Sequence, residues 1–251
     1  MNTVVDFGGR TVLVTGGTRG IGAVIARSFL DAGADVVVCG RHDPGTPPGD
    51  RTPRFLAADI RDADAAAAMV ERAADLMGGL DVLVNNAGGS PDADAATVSP
   101  RFVERVVQLN LLAPFYVAQP ANKIMQDRPG GGTIINIGSV SGADPQPGTA
   151  AYTAAKAGLL ALTRALALEW SPKVRVNHVT TGPVLTEAAA ERYGDGAALG
   201  ALVPMGRMAD PQDVANACLY LAGDLASYVT GADLAVHGGG EVPARYVVTR
   251  N

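Results

Sequence analysis

Ser139 and the run Tyr152-Thr153-Ala154-Ala155-Lys156 put a hydroxyl, a phenol and an ammonium into one short stretch of the chain. Tyr152 and Lys156 stand four positions apart with small, helix-favouring residues between them, so on a helix both side chains leave one face, a turn apart. A free tyrosine, with a pKa of about 10, is a poor base at neutral pH. A fixed positive charge within about 4–6 Å favours the phenolate and brings it toward the working range. Lys156 therefore reads as the group that tunes Tyr152, and Tyr152 as the acid/base. Ser139, just after the strand-like Thr133-Ile134-Ile135-Asn136-Ile137, is placed to donate a hydrogen bond to a substrate oxygen as its charge changes. The same Tyr-x-x-x-Lys spacing also describes an ordinary packed pair on a helix, so a second motif is needed to choose.

That motif is Thr15-Gly16-Gly17-Thr18-Arg19-Gly20-Ile21-Gly22. Arg10 to Thr15 reads as a buried strand, the glycines as a tight turn, and Ile21 to Ala32 as an amphipathic helix with Ile21, Ile25, Ser28 and Phe29 at helical spacing. Strand, glycine turn and helix follow in the order a dinucleotide site requires. Residues without Cβ let the backbone approach a pyrophosphate, whose charge meets the free N–H groups and positive end of the helix. Gly16, Thr18, Arg19, Gly20, Ile21 and Gly22 are the candidate cradle, and an unliganded βα turn is the alternative. A nucleotide cradle and a device for moving a proton together predict hydride transfer.

The second strand bears on which nicotinamide is used. A site for NAD(H) places a carboxylate near the end of that strand, against the ribose hydroxyls. Here Val36-Val37-Val38-Cys39 runs into Gly40-Arg41, with no acid at the turn. Arg41 can pair with a 2′-phosphate through its planar guanidinium, and Arg19 can approach from the glycine loop. The expectation is NADP(H), with NAD(H) as the alternative if Arg41 stacks on adenine and Arg19 is solvated.

The elements that must position these groups alternate along the chain. Strands are expected at 11–15, 35–39, 54–57, 82–85, 133–137, 175–179 and 232–236, with helices in the intervals. Such alternation predicts an α/β fold: a Rossmann-like, doubly wound, mostly parallel seven-stranded sheet with helices on both faces. His42 to Pro53 reads as an irregular loop and Ala63 to Met77 as an alanine-rich helix. Pro114 and Pro120 predict a kink or early end in the helix carrying Asn110. The stretch at about 186–208 interrupts the alternation and reads either as a mobile substrate lid or as a short helix pair packed on the core. The helix from about Ala150 to Trp170 carries Leu159, Leu162, Leu166 and Trp170 as a second apolar stripe, which predicts a subunit contact.

Composition fits one domain spanning 1–251. A chain of 251 residues with 47% hydrophobic content can fill a large single α/β core. A formal charge of −5 and a pI near 5.2, without a basic run, argue against nucleic acid or an anionic membrane as the principal partner. The N-terminus lacks the charged-then-apolar design of a signal peptide and no apolar run is long enough for a bilayer, so the expected location is cytoplasmic. Cys39 and Cys218 read as buried small hydrophobes rather than a bridge, and His42, His178 and His237 lack metal-ligand spacing.

In order along the chain, Thr15–Gly22, Asp59, Asn85-Asn86-Ala87-Gly88, Asn110, Ser139, Tyr152 with Lys156, and Gly182-Pro183-Val184-Leu185-Thr186 resemble the classical short-chain dehydrogenases/reductases from about Arg10 to Gly240. Read alone, Asn85–Gly88 also describes a strand-ending turn, Asp59 a helix cap before Ile60, and Asn110 a side chain satisfied by local backbone. The resemblance implies that Asn110 supports a proton-relay water near Lys156, which also holds the nicotinamide ribose. It implies that Asn86, Ala87 and Gly88 line the cofactor cleft, that Asp59 with Ile60 meets the adenine, and that Val184 and Thr186 hold the carboxamide. Gln146, with Ser139 and Tyr152, is the expected substrate contact in a mainly uncharged pocket. The family's pairing of this helix across a two-fold axis implies a homotetramer or homodimer.

Two positions depart from the family pattern: Thr181, where a proline commonly precedes Gly182, and His237, where an aspartate usually precedes the final glycines. The tail at 241–251 runs past the usual end and is expected either to pack at a neighbouring subunit's site or to be disordered. The resulting expectation is an oxidoreductase interconverting a secondary alcohol and a carbonyl with NADP(H). The alternatives are a 3-oxoacyl-thioester reductase and a catalytically silent nucleotide-binding protein on the same fold.

Overall fold

The computed structural model describes residues 6–43, 45 and 52–243. The expected loop at 42–53 therefore lies partly, and the tail at 241–251 mostly, outside the described residues. Seven strands, β1 (Thr11–Thr15), β2 (Asp35–Gly40), β3 (Arg54–Ala57), β4 (Val82–Asn85), β5 (Gly132–Ile137), β6 (Val174–Thr181) and β7 (Asp233–Val236), form one sheet in the order β3-β2-β1-β4-β5-β6-β7. Every pairing is parallel, in registers such as Leu13↔Val37, Val84↔Ile135 and Thr180↔Ala235. Parallel strands are covered on both faces and so are apolar nearly throughout; all five residues of β1 and all four of β4 are buried.

The helices are α1 (Gly20–Asp31), α2 (Ala63–Met77), α3 (Pro100–Val107), α4 (Ala113–Gln126), α5 (Ala150–Trp170), α6 (Glu187–Tyr193), α7 (Ala197–Gly200) and α8 (Pro211–Ala222). Helices α1 and α8 pack with Val12, Val14, Val36 and Val84 on one face, while α2, α4 and α5 pack with Leu13, Val37, Leu83 and Ile134 on the other. Alternate residues of each strand feed opposite layers, as the period of two requires. Local chemistry sets the helix ends: Asp62 accepts the Ala65 N–H at 2.9 Å to start α2, and Gly78 closes it at φ +73°.

The structure revises two expectations. The break near Asn110 is a π-helical turn, Gln108–Leu112, from which α4 continues to Gln126 with Pro120 inside it. In an α-helix the carbonyl of Asn110 would receive the N–H of residue 114, but Pro114 has none. The ladder widens instead, and the Ala113 N–H bonds to the Gln108 carbonyl. On α5, Leu159 and Leu166 are buried within the chain, and Leu162 and Trp170 pack on the same core as Leu166. The exposed positions of that helix are instead Ala150, Ala154, Ala157, Ala161, Arg164, Ala165, Leu168 and Glu169.

Candidate active site

Strand order reverses between β1 and β4, which opens a crevice at the carboxyl ends of the strands. The glycine turn forms one wall. Gly16 and Gly20 hold φ of +63° and +52°, which a residue with a Cβ rarely adopts. Gly22 lies so close to the turn that a Cβ would sit 2.3 Å from the Gly16 carbonyl and 2.4 Å from Asn86 Nδ2. At the start of α1, Arg19 is extended, makes no side-chain cap, and no acid occupies the first turn. The uncapped N–H groups and positive helix end fit an anion such as a pyrophosphate. Ile21 packs on the core, and Thr18 lies beside the end of β2, with Cγ2 3.4 Å from where a Gly40 Cβ would be.

The opposite wall is stitched to this turn. The Thr15 hydroxyl accepts the N–H groups of Asn86 and Ala87 at 3.0 and 3.1 Å, and Asn86 Nδ2 donates to the carbonyls of Thr15 and Gly16 at 2.9 and 3.2 Å. Asn86 thus fixes the shape of the crevice with its own amide. Thr15 opens the glycine motif in the sequence, but its part in bracing the opposite wall is not among the expected site roles.

Asp59 takes the Arg61 guanidinium on both oxygens, with Nε at 2.8 Å. This hydrogen bonding holds its carboxyl below the usual carboxylate range, with Arg41 adding a weaker pull. Arg41 and Arg19 are both exposed at the cleft edge. The Ile60 side chain is buried in the core, so only its backbone is available to a cofactor.

The chemistry-bearing groups converge at the ends of β4 and β5 and the first turns of α5. Burial pushes the Tyr152 phenol up, and its hydrogen bond with Ser139 opposes that. Ser139 Oγ also accepts the Ser141 N–H at 3.2 Å. Lys156 is 4% exposed, its Nζ donates to the Ile137 carbonyl at 2.7 Å, and it lies 5.7 Å from the Tyr152 ring centroid. Burial pushes this ammonium down to about 8. The spacing argument expects a phenol lowered by its lysine. In the polypeptide itself desolvation dominates both groups, each toward its neutral form.

Asn110, fully buried, accepts the Gly89 N–H at 2.8 Å and donates to the carbonyls of Gly89 and Val106 at 3.0 and 2.9 Å. The Gly88 α-carbon lies between this side chain and Lys156: a Cβ there would be 2.8 Å from Asn110 Oδ1 and 3.3 Å from Lys156 Nζ. Across the crevice, Thr186 caps α6 by accepting the Ala189 N–H at 3.2 Å, and its methyl lies 3.6 Å from a Cβ built on Gly20. Val184 is tied to Ala209 by an isolated bridge. Gln146, expected to face substrate, instead donates its amide to Glu241 at 2.6 Å. That bond and the Arg192–Asp92 ion pair both span the mouth, and both join residues far apart in sequence. A hollow of about 170 Å³ lined by Ala93, Val98, Phe102 and Val103 adjoins Tyr152. A larger one, about 280 Å³, lies around Pro183, Arg207, Asp213 and His237 and includes none of Asn110, Ser139, Tyr152 and Lys156. Among the described residues no cluster of three His, Cys, Asp or Glu side chains could hold a metal ion, and no helix could cross a membrane.

Residues 16–241 match the family model described as enoyl-(acyl carrier protein) reductase. The chain is 38% identical to a solved short chain dehydrogenase/reductase family protein, with a TM-score of 0.82 over 94% of this chain and 98% of that one. It belongs to the short-chain dehydrogenase/reductase family. Relatives include the 3alpha-hydroxysteroid dehydrogenase of Mediterraneibacter gnavus, 36% identical over 91% of this chain and 96% of that protein. The D-threitol dehydrogenase of Mycolicibacterium smegmatis is 35% identical over 94% and 95% respectively. The aldohexose dehydrogenase of Thermoplasma acidophilum, solved in ligand-free form, is 30% identical with a TM-score of 0.85 over 92% and 93%. This short-chain dehydrogenase/reductase is an NAD(P)-dependent oxidoreductase acting on CH–OH or C=O groups.

Proposed function

We propose that the protein interconverts a small uncharged secondary alcohol and its carbonyl with NADP(H), using Ser139, Tyr152 and Lys156. The observation that carries the proposal is the convergence of Ser139 and the Tyr152 phenol beside the buried Lys156 ammonium, 5.7 Å from the Tyr152 ring centroid, across one crevice from the uncapped start of α1. The nicotinamide, when bound, supplies or accepts the hydride. In the reductive direction Tyr152 Oη gives its proton to the substrate oxygen, Ser139 Oγ orients that oxygen, and Lys156 stabilises the phenolate left behind. Asn110 holds the Gly88–Gly89 turn against Lys156. Gly16 to Gly22, Asn86 to Gly88, Asp59, Val184 and Thr186 form the cofactor walls. Arg41 and Arg19, exposed at the end of β2 and in the glycine turn, support the preference for a 2′-phosphate.

The stretch at about 186–208 acts as the lid. Helix α6 buries none of its residues and reaches the far rim through Arg192 and Asp92. The farther part, with Val203 and Met208 buried, anchors it. The hollow beside Tyr152 accommodates an apolar part of the substrate. The exposed small residues of α5 with Leu168 at 85% exposure, flanked by Arg164 and Glu169, support a homotetramer or homodimer. The buried, unpaired Cys39 and Cys218, with thiols pushed up to about 12, fit a reducing cytoplasmic setting.

The test is a panel read by nicotinamide absorbance with NADP+ and NAD+: threitol, fucose, cis-4-hydroxycyclohexanecarboxylate and a 3-hydroxysteroid. A crotonyl thioester with NADPH, which the description of the matched family favours, is the contrasting arm. Turnover of threitol or fucose supports the proposal; turnover of the carboxylate or the steroid alone overturns the small uncharged substrate class, and turnover of the enoyl thioester alone overturns the reaction.

A further inference from the structure

Ser139 follows Gly138, and Gly138 has no room for a side chain. A Cβ there would lie 2.0 Å from Cε1 and 2.2 Å from Nε2 of His178. The imidazole of His178, on β6 and 2% exposed, takes the volume that a side chain at 138 would occupy. Its orientation is set from the edge strand: Nδ1 lies 2.8 Å from Asp233 Oδ1 on β7, and the Thr180 hydroxyl donates to the same oxygen at 2.7 Å. The buried Nε2 has no hydrogen-bond partner among the described residues.

Two more bonds from β6 close on the same residue. The Gly138 N–H donates to the Val179 carbonyl at 2.8 Å, and the Thr181 hydroxyl donates to the Gly138 carbonyl at 3.0 Å. Thr181, one of the departures from the family pattern, is therefore a tie to the residue before Ser139. On the other side of Gly138, Lys156 holds the Ile137 carbonyl. Every handle on Gly138 except its bond to Ser139 is gripped.

We propose that His178, oriented by Asp233, is a positioning residue that fixes the Gly138–Ser139 segment and so the placing of the Ser139 hydroxyl against Tyr152. The proposal rests on the assignment of Ser139 to the reaction. The ring works as the neutral tautomer that donates Nδ1–H to Asp233, because a neutral imidazole costs far less to bury than a cation. Desolvation holds its pKa below the ordinary value. Asp233 on β7 favours the charged form, Lys156 and Arg164 on α5 oppose it, and β5 presents the uncharged Gly138. Protonation in acid therefore loads the ring with a poorly compensated charge and disturbs the segment it supports.

The experiment uses the alcohol that the intact enzyme oxidises fastest in the panel, with NADPH binding followed separately by nicotinamide fluorescence. His178→Ala is expected to lower kcat on the order of 100-fold, the penalty of a small misplacement of a reacting group. NADPH affinity is expected to change by less than about 3-fold, since the cofactor walls are untouched. Gly138→Ala alone is damaging because its methyl meets the ring. Combined with His178→Ala, that methyl fills the vacated volume and restores at least about 10-fold of the lost kcat.

Asp233→Asn, at a partly exposed residue, removes the charge that favours imidazolium, so the acid limb of the kcat profile moves to lower pH. This readout does not require the alanine variants to fold, and a residue that merely packs would not move it. Parent-like kcat in His178→Ala, a double variant no better than the worse single variant, or an unmoved acid limb overturns the proposal. Ser139→Ala separates the two assignments. If Ser139→Ala turns over at the parent rate, the role of Ser139 fails. If it is inactive while His178→Ala is not, only the positioning role of His178 fails.

Discussion

Lys156→Met tests whether the buried ammonium is as destabilising as its surroundings imply. The side chain is 4% exposed, donates to a single neutral carbonyl, and is pushed from 10.5 down to about 8 by desolvation. At about 1.4 kcal/mol per pKa unit, holding the charged form in the fold costs about 3 kcal/mol wherever the lysine is protonated in both states. Methionine has similar length and no charge, so it removes that cost. It also leaves the Ile137 carbonyl without its donor, a loss of about 1–3 kcal/mol at every pH. The offset between variant and parent is therefore a near cancellation at neutral pH, and the pH dependence is diagnostic.

A lysine with a depressed folded pKa binds its proton more readily in the unfolded chain between the two values. The parent therefore gains stability as pH rises from about 8 to about 10.5. Below about 8 the destabilisation is at its full size and constant. Urea unfolding followed through Trp170 fluorescence at one protein concentration would give both curves. Between about pH 7.5 and about pH 9.5 the parent should gain about 2 kcal/mol relative to Lys156→Met. The raised thiols of Cys39 and Cys218 titrate in both proteins and cancel in the difference. Parallel curves across that window would refute the depressed pKa and the desolvation argument behind it.

Tyr152→Phe keeps the ring and loses the transferable proton, so NADPH affinity should stay within about 3-fold while kcat falls by about 10²–10⁴; single-turnover absorbance separates the two, and a parent-like rate would remove Tyr152 from the chemistry. Gly40→Asp with Arg41→Ala places a carboxylate at the end of β2, where a Cβ meets only Thr18 and Phe55 at 3.4 Å or more. It should shift the NADP+/NAD+ ratio of kcat/KM toward NAD+ by at least about 10-fold, and a parent ratio already favouring NAD+ would count against Arg41 as the 2′-phosphate partner. Arg192→Ala breaks the ion pair to Asp92 across the mouth, where both side chains are about half exposed. A solvent-screened contact of this kind predicts only a few-fold change in KM and a weaker dependence of KM on salt. An unchanged salt response would mean that this pair does not latch the lid.

The sheet was legible because its signals are local. Seven short, mostly apolar runs separated by helical periods give the strands to within a residue or two; the largest difference is β6, which extends to Thr181 because β7 offers Thr180 and Thr181 partners at Ala235 and Val236. The glycine turn and the Tyr152–Lys156 spacing were legible for the same reason. What sequence could not supply depends on dielectric and on contacts between distant segments. The Lys156 shift comes from burial beneath Gly88 and Ile137, which no spacing encodes. Gln146 reads as a pocket residue until Glu241, from beyond β7, takes its amide. The leucines of α5 read as an outward stripe, but the helix turns Leu159 and Leu166 inward and leaves alanines, Arg164, Leu168 and Glu169 outside.

The same distinction explains why so many polar residues of the crevice spend their hydrogen bonds on backbone. Thr15, Asn86, Asn110 and Thr181 each bond main-chain groups of a neighbouring loop or strand. At the carboxyl end of a parallel sheet the strands stop supplying each other's partners, and exposed N–H and C=O groups must be satisfied by something else. Side chains at the last residue of a strand (Thr15, Thr181), one residue past a strand (Asn86) and in the π-helical turn (Asn110) do this while fixing where the loops lie. Below the crevice side chains bond one another as well: Asn85 donates to the Pro114 carbonyl at 3.2 Å and to Asn136 at 2.9 Å, and Asn136 donates to Thr163 of α5 at 2.9 Å, two turns after Lys156. Glycines at 22, 88 and 138 then allow these tied loops to approach within contact distance of Asn86, Lys156 and His178. The geometry of Ser139, Tyr152 and Lys156 thus depends on loops whose main-chain bonds are made within the polypeptide, so the fold holds these groups in place without relying on contacts from substrate.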